Sequence, residues 1–298
     1  MNNHSDPRNA LYHYYCEYDA LAVMRRFQVA DQTPEPGVLK NFMGVRVPTK
    51  VYPPILDKMG GTVEELPNPG NWHADIAEWG AALLSVVRAK ENYRIVELGC
   101  GWGCWLVNMG AAARTLGLQL DLIGIEGDQN HLANACDVLM LNGFSEADFR
   151  LYHGVAAPKP GKAVFPNPAA GTAAWGGEAV FYPDRRALKM AKNDPTKQIL
   201  DCHTLPELSG DKDINLVHVD IQGAELGFVT GNIAALNSHV HRILIGTHSR
   251  IIEGQLMATF EEAGWLLEME RPAIAPPHAG KSVLRIDGVQ LWRNPKWP

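Results

Sequence analysis

Two carboxylates and a run of glycines are the residues of this chain best arranged for chemistry. Val96-Glu97-Leu98-Gly99-Cys100-Gly101-Trp102-Gly103 closes an apolar run with glycine at every second position. Glycine tolerates positive φ and lets a ligand approach the backbone. A helix after such a bend aims its free N–H groups into the same space. Glu97, two residues before the first glycine, suits a ligand's ammonium group and repels a pyrophosphate. Glu126 closes a second apolar run, where an acid can grip the hydroxyls of a ribose. Taken together, Glu97, Gly99, Cys100, Gly101, Trp102, Gly103, Glu126 and Gly127 form a candidate site for a nucleoside carrying an amino-acid tail. Asp128 reads as the N-cap of the helix that follows.

Further acids and histidines fall where other apolar runs end. Asp220 follows the run 214–219, and Gly246-Thr247-His248-Ser249 follows the run 242–245. An imidazole with an ordinary pKa near ~6.5 suits proton removal from a hydroxyl, so His248 is the candidate general base. Asp220 is placed to orient an acceptor. With Glu225 it also forms a candidate ligand pair for a divalent cation such as magnesium. His218 lies inside its run and reads as a core residue.

The elements that must carry these residues follow from hydrophobic periodicity. Strands are expected at 93–98, 119–125, 149–152, 214–219 and 242–245, with an antiparallel pair at 266–270 and 289–292. Helices are expected at 72–90, 104–116, 131–142, 225–236 and 253–263. The alternation predicts a Rossmann-like α/β fold: a seven-stranded, mostly parallel sheet with helices on both faces. Ligands of such sheets sit beyond the carboxyl ends of the strands, where the candidate residues fall. Residues 91–298 read as this domain. Residues 157–200, rich in Pro, Gly and Ala, read as an insert or lid over the acceptor, with Phe165, Trp175, Phe181 and Tyr182 for stacking. Residues 1–90 read as an N-terminal helical extension. Leu11, Tyr14, Tyr15, Tyr18, Leu21 and Met24 fall at helical spacing there, either to cap the pocket or to form a homo-oligomer contact.

The bend resembles motif I of class I methyltransferases. The stretch Val219-Asp220-Ile221-Gln222-Gly223-Ala224-Glu225 is more specific and resembles the FkbM family of O-methyltransferases. The resemblance covers roughly residues 90–295. It implies S-adenosylmethionine as methyl donor and a small-molecule hydroxyl, such as that of a sugar or glycosylated metabolite, as acceptor. Tyr152-His153-Gly154-Val155-Ala156 resembles the family's segment after the third strand, which implies that His153, Gly154 and Val155 border the adenine. Where the family usually carries Glu, this chain has Gln222. An NAD-dependent oxidoreductase is the competing reading, weakened because the third glycine of a dinucleotide fingerprint would fall on Cys104. A non-catalytic nucleotide-binding module is another.

Composition narrows the partners. A net charge of -6 disfavours phosphate neutralisation on a nucleic acid. The five cysteines are scattered and lack CxxC spacing, which predicts reduced thiols rather than a disulfide framework or a zinc site. No run of about 18 apolar residues is present and residues 1–10 carry no apolar signal core, so the expected address is cytoplasmic, away from membranes.

Overall fold

The computed structural model describes residues 10–167, 176–275 and 284–297, so Trp175 lies outside the described residues. Its main sheet has eight strands: β1 (Tyr15–Cys16), β2 (Asn92–Leu98), β3 (Gln119–Glu126), β4 (Phe149–His153), β5 (Ile214–Val219), β6 (Val240–Thr247), β7 (Leu266–Arg271) and β8 (Gly288–Arg293). Their order across the sheet is β1-β7-β8-β6-β5-β2-β3-β4. Strands β4, β3, β2, β5 and β6 run parallel, and β8, β7 and β1 complete the edge antiparallel. The chain runs outward from β2 through β3 to β4, then resumes on the other side with β5. The strand order therefore reverses between β2 and β5, with Leu98 in register with Val219. That switch point opens a crevice at the carboxyl ends of the strands.

The central strands are continuous apolar runs because both of their faces are covered. In β5 all six residues are buried, and in β2 all but Asn92. One face packs the helices Ile76–Val87 and Cys104–Thr115, the other Glu225–His239 and Arg250–Glu262. Helix Ile76–Val87 is apolar almost all round because it is sandwiched. The sheet lies under it, and helix Ala20–Arg25 lies over Gly80, where an added Cβ would stand 2.7 Å from that of Ala20.

Two expectations are corrected. The sheet has eight strands rather than seven, because Tyr15–Cys16 pairs with Met269 and Glu270 on the outer edge of β7. The N-terminal segment is accordingly not one helix. Asp19 caps a helix of only six residues, Ala20–Arg25, and Val38–Lys40, Arg46–Pro48 and Thr62–Val63 form a small three-stranded sheet. The described part of 157–200 forms an ordered insert. Gly161–Pro166 and Val180–Phe181 join Lys197–His203 and Val155–Ala156 in a four-stranded sheet, with helix Arg185–Lys192 against it. All five cysteines are free, and no described helix is long and apolar enough to cross a membrane.

Candidate active site

The glycine bend is a built cradle. Gly99, Gly101 and Gly103 all have positive φ, at 72°, 52° and 78°. A Cβ on Gly99 would stand 2.0 Å from the carbonyl oxygen of Asp220, so only glycine fits where the two central strands end side by side. The N–H groups of Gly99 and Cys100 both donate to Ile125 O at 3.0 Å, tying the bend to β3. Gly99 and Gly101 line a cavity that runs on past Glu126 and Gly127 to Gly154 and Val155. Cys100 and Trp102 turn the other way. The Cys100 sulfur packs at Gly124, and the Trp102 ring stacks on Trp72 at 5.7 Å. Both side chains are buried and, with Gly103, lie outside the cavity wall.

The two acids of the bend spend their oxygens differently. Glu97 faces away from the cavity and accepts the N–H groups of Trp105 (3.3 Å) and Leu106 (2.9 Å), which satisfies the first turn of helix Cys104–Thr115. Burial pushes its carboxyl up to about 8 against those hydrogen bonds. Glu126 stays on the cavity wall. Its Oε2 accepts Gly101 N–H at 2.8 Å and its Oε1 accepts Asp128 N–H at 2.8 Å. Burial raises its pKa as well, opposed by those two bonds. Each oxygen keeps a lone pair for a ligand hydroxyl. Asp128 caps helix Gln129–Leu141 through Oδ1 and lines the same cavity, while its buried Oδ2 accepts no hydrogen bond among the described residues and lies 3.9 Å from His131 Nδ1. A cradle closed to any side chain at Gly99 and the buried carboxylate oxygens of Glu126 on the cavity wall fit a nucleoside with an amino-acid tail.

His153 lies outside the cavity wall, with Nε2 3.1 Å from Gly127 O. Gln198 Nε2 donates to the same carbonyl at 2.8 Å, so the two side chains brace the loop after β3. The small sheet closes this end. Phe165, Gly177 and Phe181 line the first cavity, not the acceptor space expected for the insert. Sequence reasoning noted these aromatics but could not assign them a cavity. His131, which stands in no recognisable motif, and Ile221, which stands in the Asp220 motif but has no chemical group to single it out, were missed.

Asp220 and Glu225 converge, but on a histidine. His248 Nδ1–H donates to Glu225 Oε1 at 2.8 Å, and its Nε2 lies 3.3 Å from Asp220 Oδ1. Gln222 Nε2 lies 3.1 Å from both Asp220 Oδ1 and His248 Nε2, on a residue whose φ is +52°. Glu225 is fully buried, and its Oε1 also accepts Gly223 N–H at 2.9 Å. Burial disfavours charge on His248, but hydrogen bonds to Asp220 and Glu225 win and raise it to about 10. Held between two carboxylates, the ring is biased toward its protonated form, which works against the proton-accepting role expected of His248. The two carboxylates grip opposite nitrogens of one ring rather than a shared cation, and the described residues contain no cluster of potential metal ligands. Asp220 keeps a charge: burial pushes its pKa up, but His248 holds it below the usual range. His218 is a buried core histidine, which burial lowers to about 4.

A second, polar cavity of about 360 Å³ opens on the other side of Asp220. Asp220 lines both cavities, and His248 lines the second. The opposite wall comes from the N-terminal segment: Asn71, His73, Asp75 and Glu78. Arg271 and Gly288 supply the side toward the sheet edge. Asp75 and Arg271 form a buried ion pair. The signal for this wall was present in the sequence as Asp75-Ile76-Ala77-Glu78, a capping-box spacing. The box is formed: Asp75 Oδ1 accepts Glu78 N–H, and Glu78 Oε2 accepts Asp75 N–H, both at 3.1 Å.

No protein-family model matches the chain. Among solved structures, a methyltransferase FkbM from Methylobacillus flagellatus KT aligns with a TM-score of 0.43 at 12% identity, covering 68% of this chain and 43% of that one. A ribosomal protein L11 methylase from Lactobacillus delbrueckii subsp. bulgaricus aligns with a TM-score of 0.38 at 14% identity, covering 74% of this chain and 80% of that one. The sequence match is far stronger. A curated protein of Jannaschia sp. (strain CCS1), described as "Putative methyltransferase", is 50% identical over 275 residues, 92% of this chain and 99% of the relative. With half of the aligned residues shared along nearly the whole of both proteins, this chain belongs to the same methyltransferase family.

Proposed function

We propose that the chain is an O-methyltransferase of the FkbM type, which moves a methyl group from S-adenosylmethionine to a hydroxyl of a small polar acceptor, a sugar or glycosylated metabolite. The observation that carries this reading is Asp220, whose side chain, about half exposed, borders both cavities. The first cavity supplies acceptors for a ribose and the glycine cradle for the amino-acid tail. The second is walled by hydrogen-bonding groups of both signs, which suits a ligand rich in hydroxyls better than an apolar ring. An in-line displacement needs acceptor oxygen and methyl carbon about 3 Å apart, and the boundary between the cavities is where the two would meet. S-adenosylmethionine supplies an electrophilic methyl carbon. Glu126, Asp128 and the bend would hold this cofactor, and the charged Asp220 would orient the acceptor.

The test is a methyl-transfer screen with labelled S-adenosylmethionine against sugar, glycoside and phenol acceptors, with and without magnesium. The expected result is label in an alkali-stable ether on a sugar or glycoside. Label only in amines or in base-labile esters, or none in any acceptor, would overturn the reading.

A further inference from the structure

We propose that Glu78, from the N-terminal segment, accepts the proton that the acceptor hydroxyl releases during methyl transfer. The proposal rests on the O-methyltransferase reading above. Glu78 sits in the first turn of helix Ile76–Val87 and lines the second cavity. Its Oε2 is engaged by Asp75 N–H, which fixes the side chain against its own helix.

The other groups on this wall are unsuited to the task. His248 and Asp220 are engaged with each other, and His248 also with Glu225, which biases the ring toward its protonated form and holds Asp220 below the usual carboxylate range. Burial lowers His73 to about 4, although Asp220 pulls the other way. Arg271 and Arg285 are permanent cations. Asp287 also lines the cavity but is exposed to solvent. Glu78 differs: burial and the neighbouring Asp75 raise it to about 8, with Asp220 adding to the rise and Arg271 opposing it. A carboxyl tuned toward the working pH is the best match to a base that must take a proton and return it to water.

The step balances without a co-reactant. The hydroxyl oxygen attacks the methyl carbon, and a C–O bond forms as the S–C bond breaks. The bonding pair leaves on sulfur, giving a neutral thioether. The hydroxyl proton moves to the Glu78 carboxylate and then to solvent through the cavity.

The experiment compares wild type, Glu78→Gln and Glu78→Asp. Gln keeps an oxygen for Asp75 N–H, so the capping box survives. Single-turnover transfer to the most active of a set of methyl hexosides is followed from pH 6 to 10. The wild-type rate should rise with pH and level off above about 8. Glu78→Gln should lose roughly 100-fold or more and the pH inflection with it, and Glu78→Asp should recover part of the rate. Carbon-13 NMR of the S-adenosylhomocysteine complex, with the glutamate side-chain carboxyls labelled, gives a readout without turnover. One carboxyl titrating far above the ordinary range should vanish in Glu78→Gln. A Glu78→Gln enzyme with the wild-type rate and profile would overturn this assignment alone, as would a vanished signal that titrates in the ordinary range. Wild-type enzyme that methylates no hydroxyl acceptor would overturn the functional reading and this assignment together.

Discussion

Glu97 and Glu126 are both buried acids at the ends of adjacent strands, yet only one faces the ligand space. Calorimetry with S-adenosylhomocysteine should separate them. Glu126→Ala removes a carboxylate from the ribose end and should weaken binding roughly 10- to 100-fold, the loss of hydrogen bonds to a charged group. Glu97→Gln should leave affinity unchanged, because Glu97 serves the helix. Equal losses would contradict this division. Glu97 also has a pH signature. Its folded pKa of about 8 lies above the unfolded value near ~4.3. The stability it contributes is complete below the unfolded value and is lost as pH rises through about 8. Melting curves of Glu97→Gln should lack that decline, and a decline parallel to wild type would refute the assignment. His248 is the structural half of the same lesson. His248→Gln leaves Glu225, fully buried, without its counter-charge and should cost about 3 kcal/mol in urea denaturation, partly restored in the double variant with Glu225→Gln. An unchanged urea midpoint would contradict the charged clamp. The residue types of the site were legible because glycine and acids at strand ends have few other uses in so short a span. Their directions were not. Cys100, Trp102 and Glu97 stand in the motif but point into the core, a matter of backbone dihedrals that spacing does not encode.

Elements with internal signals were read closely. Strand β5 was expected at 214–219 and is observed there, since a run buried on both faces advertises itself in hydrophobicity alone. The elements that were misread owe their form to distant partners. Tyr15–Cys16 is a two-residue strand held by β7, some 250 residues away in sequence, and its tyrosine spacing mimics a helix. Gly161–Pro166 becomes a strand by pairing with Lys197–His203, whose register no local pattern announces. The edge role of β1 is testable. Deleting residues 1–16 uncovers the backbone of β7, and an exposed edge strand invites pairing with another copy. Sedimentation should show the truncated chain self-associating while S-adenosylhomocysteine still binds. A monodisperse truncated protein would remove β1 from the account of the edge.

At the scale of the whole molecule, the N-terminal segment is part of the site rather than an appendage. It shares a core with the helices of one sheet face and supplies Asn71, His73, Asp75 and Glu78 to the second cavity. The reversal of strand order between β2 and β5 brings Gly99 and Asp220 together, and Asp220 joins the two cavities. The central claim is that donor and acceptor meet across Asp220. Its most direct test is a crystal structure of the chain with S-adenosylhomocysteine bound. The account predicts the ribose at Glu126, the adenine between Val155 and Phe165, and the sulfur beside Asp220, facing the second cavity. A sulfur turned away from that cavity, or a ligand seated elsewhere with the glycine bend empty, would contradict it.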